Sequence, residues 1–211
     1  MRPWVLMRQL GLPFEEIKLR FDFSEGSAFR LAVARVSPAR TVPVLLHDGF
    51  AVWDTLAIVE TLNELFPGLG VWPAAAQDRA RARSLCAEMH AGFGALRSHC
   101  PMNIEASLPD VGAKVWAENE RVRREVARIE AMWAEALLHS GGPFLFGDFS
   151  AADAFYAPVV MRLRCYALPV SDSTLAYMER ITAAPGVAAW VADALAEADF
   201  LHFEEPHRGQ R

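Results

Sequence analysis

A chain of 211 residues with 53% hydrophobic composition can bury one large core or two small ones. Its net charge of −5, without blocks of like charge, lacks the basic face that nucleic acid requires. Three cysteines (Cys86, Cys100, Cys165) without C-x-x-C spacing and six histidines (His47, His90, His99, His139, His202, His207) without an i, i+4 pair suggest neither a disulfide framework nor a metal site. No apolar run reaches the roughly 18–20 residues that span a bilayer. The expectation is a cytoplasmic protein with no metal, no membrane contact and no nucleic-acid partner.

In chain order, residues 3–10 ("PWVLMRQL") place apolar side chains at helical spacing and stop at Gly11-Leu12-Pro13. Ile17, Leu19 and Phe21 alternate with Glu16, Lys18 and Arg20, which predicts a strand with one wet face. Residues 28–36 read as a short helix closed by Ser37-Pro38. Val42 to Leu46 and Phe50 to Trp53 flank His47-Asp48-Gly49, a hairpin signal. Pro43 falls inside the first of these strands, where it removes a ladder donor. From Asp54 the period becomes helical, with Leu56, Val59, Leu62, Leu65 and Phe66 along one side until Pro67-Gly68. Asp54 and Thr55 stand where a helix N-cap belongs.

"GLGVWPAAAQ" is the linker candidate. Beyond it, Leu85, Met89, Gly92, Phe93, Leu96 and Cys100 form a helical stripe, as do Val122, Val126, Ile129, Trp133 and Leu137. Gly141-Gly142-Pro143 breaks the chain, and Ser150-x-x-Asp153 reads as a capping box with Asp in place of Glu. Pro158 deprives the Ala154 carbonyl of its partner and predicts a kink. Two short helices follow, the last with Val187, Trp190, Val191, Ala194 and Leu195 on one side. The tail from His202 shows no usable pattern, and there is neither an internal repeat nor a low-complexity segment.

"TVPVL", "WDTLAIVETLNELFP" and "GDFSAADAFYAPVV" occur in an order that resembles the cytosolic glutathione transferases over essentially the whole chain, and "AEMHAGFGALRSHCPMNI" is similar to a bacterial branch with a serine-type N-terminal motif. The resemblance implies an α/β thioredoxin-like N-terminal domain over 1–67, here lacking its first strand, a linker over 68–77, and an all-α domain over 78–211. It also implies glutathione as co-substrate, an electrophilic small molecule as second substrate, and a homodimer. In such a protein Val42 pairs the cysteinyl part of glutathione through its backbone, with Pro43 in a cis peptide turning those groups outward. The Thr55 hydroxyl and N–H would meet the γ-glutamyl carboxylate and Asp54 its ammonium, which is compatible with their capping role. Arg40 is a candidate for the glycyl carboxylate, a solvated loop arginine being the alternative.

The resemblance places the second substrate between the domains, against Trp4, His90, Phe93, Gly94 and Arg97. The residues alone also allow a plainer reading, with Phe93 on the core stripe, His90 one step off it and Arg97 a surface charge. A thiolate-activating Tyr, Ser or Cys is implied ahead of "RPW", and none of Tyr156, Tyr166 or Tyr177 is in the right part of the chain to replace it. The sequence starts at Met1, so that residue is expected upstream, in a strand and turn of about 25 residues or fewer. The leading expectation is a transferase, with a glutathione-dependent isomerase as a variant. A non-catalytic glutathione-binding or assembly module stays open, as does a helical scaffold for hydrophobic ligands.

Overall fold

The computed structural model describes residues 1–208. Helix α1 (Arg2–Gln9) carries Pro3 in its first turn, where the missing N–H costs nothing, and Gly11 follows in the left-handed region at φ 67°. Residues 12–23, which include Ile17, Leu19 and Phe21, form no strand, correcting the alternation reading. A strand is defined by the ladder it joins, and no described residue offers this segment one; Ile17 is left 70% exposed.

Helix α2 (Ala28–Val36) is capped by Ser27, whose side chain accepts from the Arg30 N–H. Strands β1 (Leu45–His47) and β2 (Phe50–Val52) pair antiparallel, Leu45 opposite Val52 and His47 opposite Phe50, across the Asp48-Gly49 turn. Both turn residues have positive φ (48° and 79°), which Asp and Gly accommodate. The ladder begins two residues after Pro43 rather than around it, so the missing proline donor is never asked for. Helix α3 (Thr55–Leu65) follows, with Asp54 as N-cap accepting from the Leu56 N–H at 3.1 Å. Its buried side is Thr55, Ile58, Val59 and Leu62, whereas Leu65 and Phe66 are exposed.

The remainder is helical. Val71 and Trp72 of the expected linker are buried, and the Val71 carbonyl accepts from the Ala151 N–H at 2.9 Å. The stripe from Leu85 to Cys100 is buried on schedule but its helix is broken into α4 (Ala76–Ala91) and α5 (Gly94–His99). Gly92 is extended and Phe93 left-handed at φ 56°. The carboxylate of Glu125 then accepts from the Ala95 and Leu96 N–H groups at 3.1 and 2.7 Å, satisfying α5's first turn from outside.

Helix α6 (Pro109–Glu118) leads into α7 (Glu120–Ser140), which buries Val122, Val126, Ile129 and Trp133 and ends at Gly141, φ 77°. Helix α8 (Ala151–Cys165) runs through Pro158 and is buried along nearly its whole length, because α1, α4 and α9 (Asp172–Ala183) pack around it. Helix α10 (Pro185–Glu197) closes the fold against α1. The chain is thus a small two-stranded α/β unit followed by a helical bundle. Among the described residues no helix is long and apolar enough to cross a membrane.

The capping box at α8 is present in full: the Ser150 side chain accepts from the Ala152 N–H, while Asp153 accepts from the Ser150 N–H at 2.9 Å. Asp153 is completely buried and also accepts from the Leu145 N–H and the Tyr177 hydroxyl, at 3.1 and 3.0 Å. Burial nevertheless pushes its carboxyl up to about 6.

Candidate functional site

A cavity of about 170 Å³ lies where the start of α1, the loop before β1, the start of α3, the α4–α5 break and the middle of α8 converge. Pro43 and Thr55 form one wall, Phe93 and Arg97 another. The Val42–Pro43 peptide is cis. Among the described residues neither the N–H nor the C=O of Val42 has a hydrogen-bond partner, and the residue is 42% exposed. An extended ligand with a free donor and acceptor can pair there as an added strand.

Thr55 is the most informative group on that wall. It is 2% exposed, yet its hydroxyl has no hydrogen-bond partner within the protein. A buried hydroxyl without a partner costs about 1–3 kcal/mol, and this one belongs to a residue that opens a helix and lines the cavity, an arrangement that suits a carboxylate. Its neighbour Asp54 uses Oδ1 to cap α3 and turns Oδ2 toward His90, whose Nε2 is 2.9 Å away. The other ring nitrogen of His90, Nδ1, is 3.0 Å from an Arg2 guanidinium nitrogen. A guanidinium only donates and a carboxylate only accepts, so Nδ1 accepts from Arg2 and Nε2 donates to Asp54. The α/β unit and the bundle are tied together through this relay.

The expected substrate-pocket residues divide. Phe93 and Arg97 line the cavity, while His90 stands behind its wall on Asp54. Trp4 does not line it. Its ring is 8% exposed and packs edge-on against Trp190 and Phe14, at 5.2 and 6.0 Å, because α1 turns that face to α10. Gly94 is exposed at the first position of α5 and is not on the wall. Arg40 is exposed in the loop after α2, with φ 55°, and also lies off the cavity.

Family models for the glutathione S-transferase N-terminal domain and C-terminal domain match residues 1–65 and 117–193, together more than half of the chain. The chain belongs to the glutathione S-transferase family. Protein IN2-1 of Zea mays is 27% identical over 165 residues, covering 78% of this chain and 61% of that relative. A protein of Drosophila melanogaster named probable maleylacetoacetate isomerase 1 is 28% identical over 145 residues, covering 67% of this chain and 54% of that relative. The chain therefore spans less than two thirds of the length of these curated relatives. A glutathione transferase homolog from Burkholderia GL BGR1, solved with bound glutathione, matches 92% of this chain and 89% of its own, at 28% identity and a TM-score of 0.60.

Among the wall residues of this glutathione S-transferase family member that escape sequence reasoning are two arginines. Arg2 opens α1 and Arg162 lies on α8, and both reach the cavity. Arg162 donates to the carbonyls of Cys100 and Arg97, at 2.6 and 3.4 Å. Burial first, and the nearby Arg97 charge second, lower the proton affinity of both guanidinium groups from the ordinary value. Sequence periodicity marks Arg162 as an interruption of an apolar helix, and that interruption was the available signal. Cys86 is buried, and burial pushes its thiol well up, which makes it an inert core group.

Proposed function

We propose that this protein is a glutathione-dependent transferase that joins the glutathione sulfur to an electrophilic carbon. The observation that carries the reading is the unpartnered hydroxyl of Thr55, a cavity-wall residue beside Asp54, together with the free backbone groups of Val42 next to the wall residue Pro43. In this reading Thr55 receives the γ-glutamyl carboxylate, Asp54 the ammonium, and Val42 the cysteinyl amide; Pro43 shapes the approach. These contacts hold the sulfur still and turn a bimolecular encounter into an oriented one.

The chemical step needs the thiolate. The thiol gives up its proton, a sulfur lone pair forms the C–S bond, and the leaving group departs with the bonding pair. With an activated double bond, the displaced π pair moves instead to the adjacent carbon and takes up a proton; reversal after rotation gives isomerisation. In this reading the residues at the site bind and orient, and Phe93 and Leu96 supply apolar wall.

One observation favours a second reading, a non-catalytic glutathione-binding module. Among the described residues that line the cavity none is Ser, Cys or Tyr, the side chains that serve thiolates in such enzymes. In either reading we take the protein to be a cytoplasmic homodimer, divided into a glutathione-binding unit over 1–67, a connector over 68–77 and a helical domain from 78 onward.

The test is retention of the purified chain on immobilised glutathione, with Asp54→Ala alongside and a thiol-conjugation assay on the eluate. Retention with turnover, lost in Asp54→Ala, supports the transferase. Retention without turnover supports the binding module. A folded chain that is not retained contradicts both.

A further inference from the structure

Several arginines on this molecule meet carboxylates, and others, such as Arg79 and Arg180, donate to backbone carbonyls. Arg83 forks onto Glu60 at 2.7 and 2.8 Å, Arg128 onto Glu88 at 2.7 and 2.9 Å, and Arg20 onto Asp199 at 2.9 and 2.9 Å. Arg2, Arg97 and Arg162 are set apart by gathering at one place. Three separate helices bring them to one cavity of about 170 Å³, and among the described residues that line it there is no Asp or Glu. None of the three forms an ion pair with a described carboxylate within 4.0 Å. Arg2 is spent on His90 and lies over the Phe155 ring at 5.0 Å, and Arg162 points at backbone carbonyls. The Arg97 side chain is exposed and makes no hydrogen bond to a described residue.

Like charges gathered on a partly buried wall repel; Asp54 offsets part of this for Arg2 and Glu204 part for Arg162, while burial and the Arg97 charge still lower the proton affinity of both. Each guanidinium is a planar fork of donors that fits a carboxylate two bonds at a time, which a lysine does not do. Met89, Phe93 and Leu96 add apolar surface to the wall. We propose that the cavity selects a second substrate carrying a carboxylate, bound by Arg97 and Arg162 with Arg2 behind them, its apolar or unsaturated body lying against Met89, Phe93 and Leu96. This rests on the transferase reading above and names the chemical class of the partner that glutathione would meet.

Calorimetric titration of the full chain separates the possibilities, using succinate as a carboxylate probe, succinamide as its uncharged counterpart, and S-methylglutathione as an unreactive co-substrate. The expected result is that succinate binds and succinamide does not, and that succinate and S-methylglutathione bind together. Arg97→Gln should weaken succinate about tenfold and leave S-methylglutathione unchanged. Arg162→Gln should weaken it as well, but that residue also holds the Cys100 carbonyl, so Arg97→Gln is the variant that decides. Added salt should weaken succinate, because part of the attraction is screened.

Equal binding of succinate and succinamide overturns the proposal, as does succinate affinity that Arg97→Gln leaves untouched. Displacement of succinate by S-methylglutathione also overturns it, because the arginines would then be holding glutathione's own carboxylates. Succinate binding that Arg97→Gln weakens, in a chain that does not bind S-methylglutathione, leaves the anion site standing and contradicts the transferase reading alone.

Discussion

His90 Nε2 lies 2.9 Å from Asp54 Oδ2, so a residue of the helical bundle fixes the carboxylate that opens the third helix of the α/β unit. Asp54 is thereby fixed at both oxygens, one on the Leu56 N–H and one on the imidazole. His90→Phe removes the second anchor. Both side chains are partly exposed, so stability should change by less than about 1 kcal/mol. Affinity for S-methylglutathione should fall about three- to tenfold, since a looser Asp54 must be ordered on binding. Unchanged affinity measured by calorimetry would remove His90 from the site.

Tyr177→Phe deletes one of the donors to the fully buried Asp153 carboxylate. The loss should be about 1–3 kcal/mol by chemical denaturation, with affinity for S-methylglutathione unaltered, because the bond lies in the bundle and away from the cavity. A variant as stable as the parent would show that the bond adds nothing.

Asp153 also sets a pH dependence. Burial raises its folded carboxyl to about 6 from an ordinary 3.8, so between these values the folded state holds more proton than the unfolded one. Its contribution to stability is therefore complete below the lower value and declines as pH rises through the upper one. The difference of about two pH units corresponds to about 3 kcal/mol. Denaturation of the parent and of Asp153→Ala at pH about 4 and about 7 should show the parent's advantage shrinking toward neutral pH. An advantage that grows with pH would mean the donors around Asp153 outweigh its burial.

Much of this fold was legible because its signals are local. Asp48-Gly49 specifies its hairpin, Ser150-x-x-Asp153 its capping box, and the Val122 to Trp133 stripe its buried face, each within a few residues. What the sequence misstated depends on distant partners. Alternation at Ile17, Leu19 and Phe21 cannot make a strand without a ladder to join. The break between α4 and α5 relies on Glu125, from another helix, to satisfy the new N-terminus.

The site divides the same way. The cis peptide at Pro43 and the cap at Asp54 followed from motif and resemblance. Trp4 was expected on the cavity and instead meets Trp190. Arg2 and the His90 contact to Asp54 had no local mark, and Arg162 only the interruption of an apolar helix, because each takes its place by packing one helix on another.

Gly112→Ala probes the packing of α6 on the end of α8. A Cβ there would stand 1.7 Å from the Tyr166 carbonyl oxygen, a backbone atom that cannot swing aside. The expected loss is about 1–3 kcal/mol, read from the denaturation midpoint. No loss would mean that α6 shifts freely on the bundle.

The central claim is that Thr55 waits for a glutathione carboxylate, and Thr55→Val tests it most directly. Valine keeps the branched shape and removes the unpartnered hydroxyl, so the free protein should be as stable as the parent or more so, by up to about 1 kcal/mol. Calorimetric titration with S-methylglutathione should show affinity lower by about tenfold. Stability and affinity moving in these opposite directions is the predicted result. A variant that binds S-methylglutathione as tightly as the parent would contradict the account.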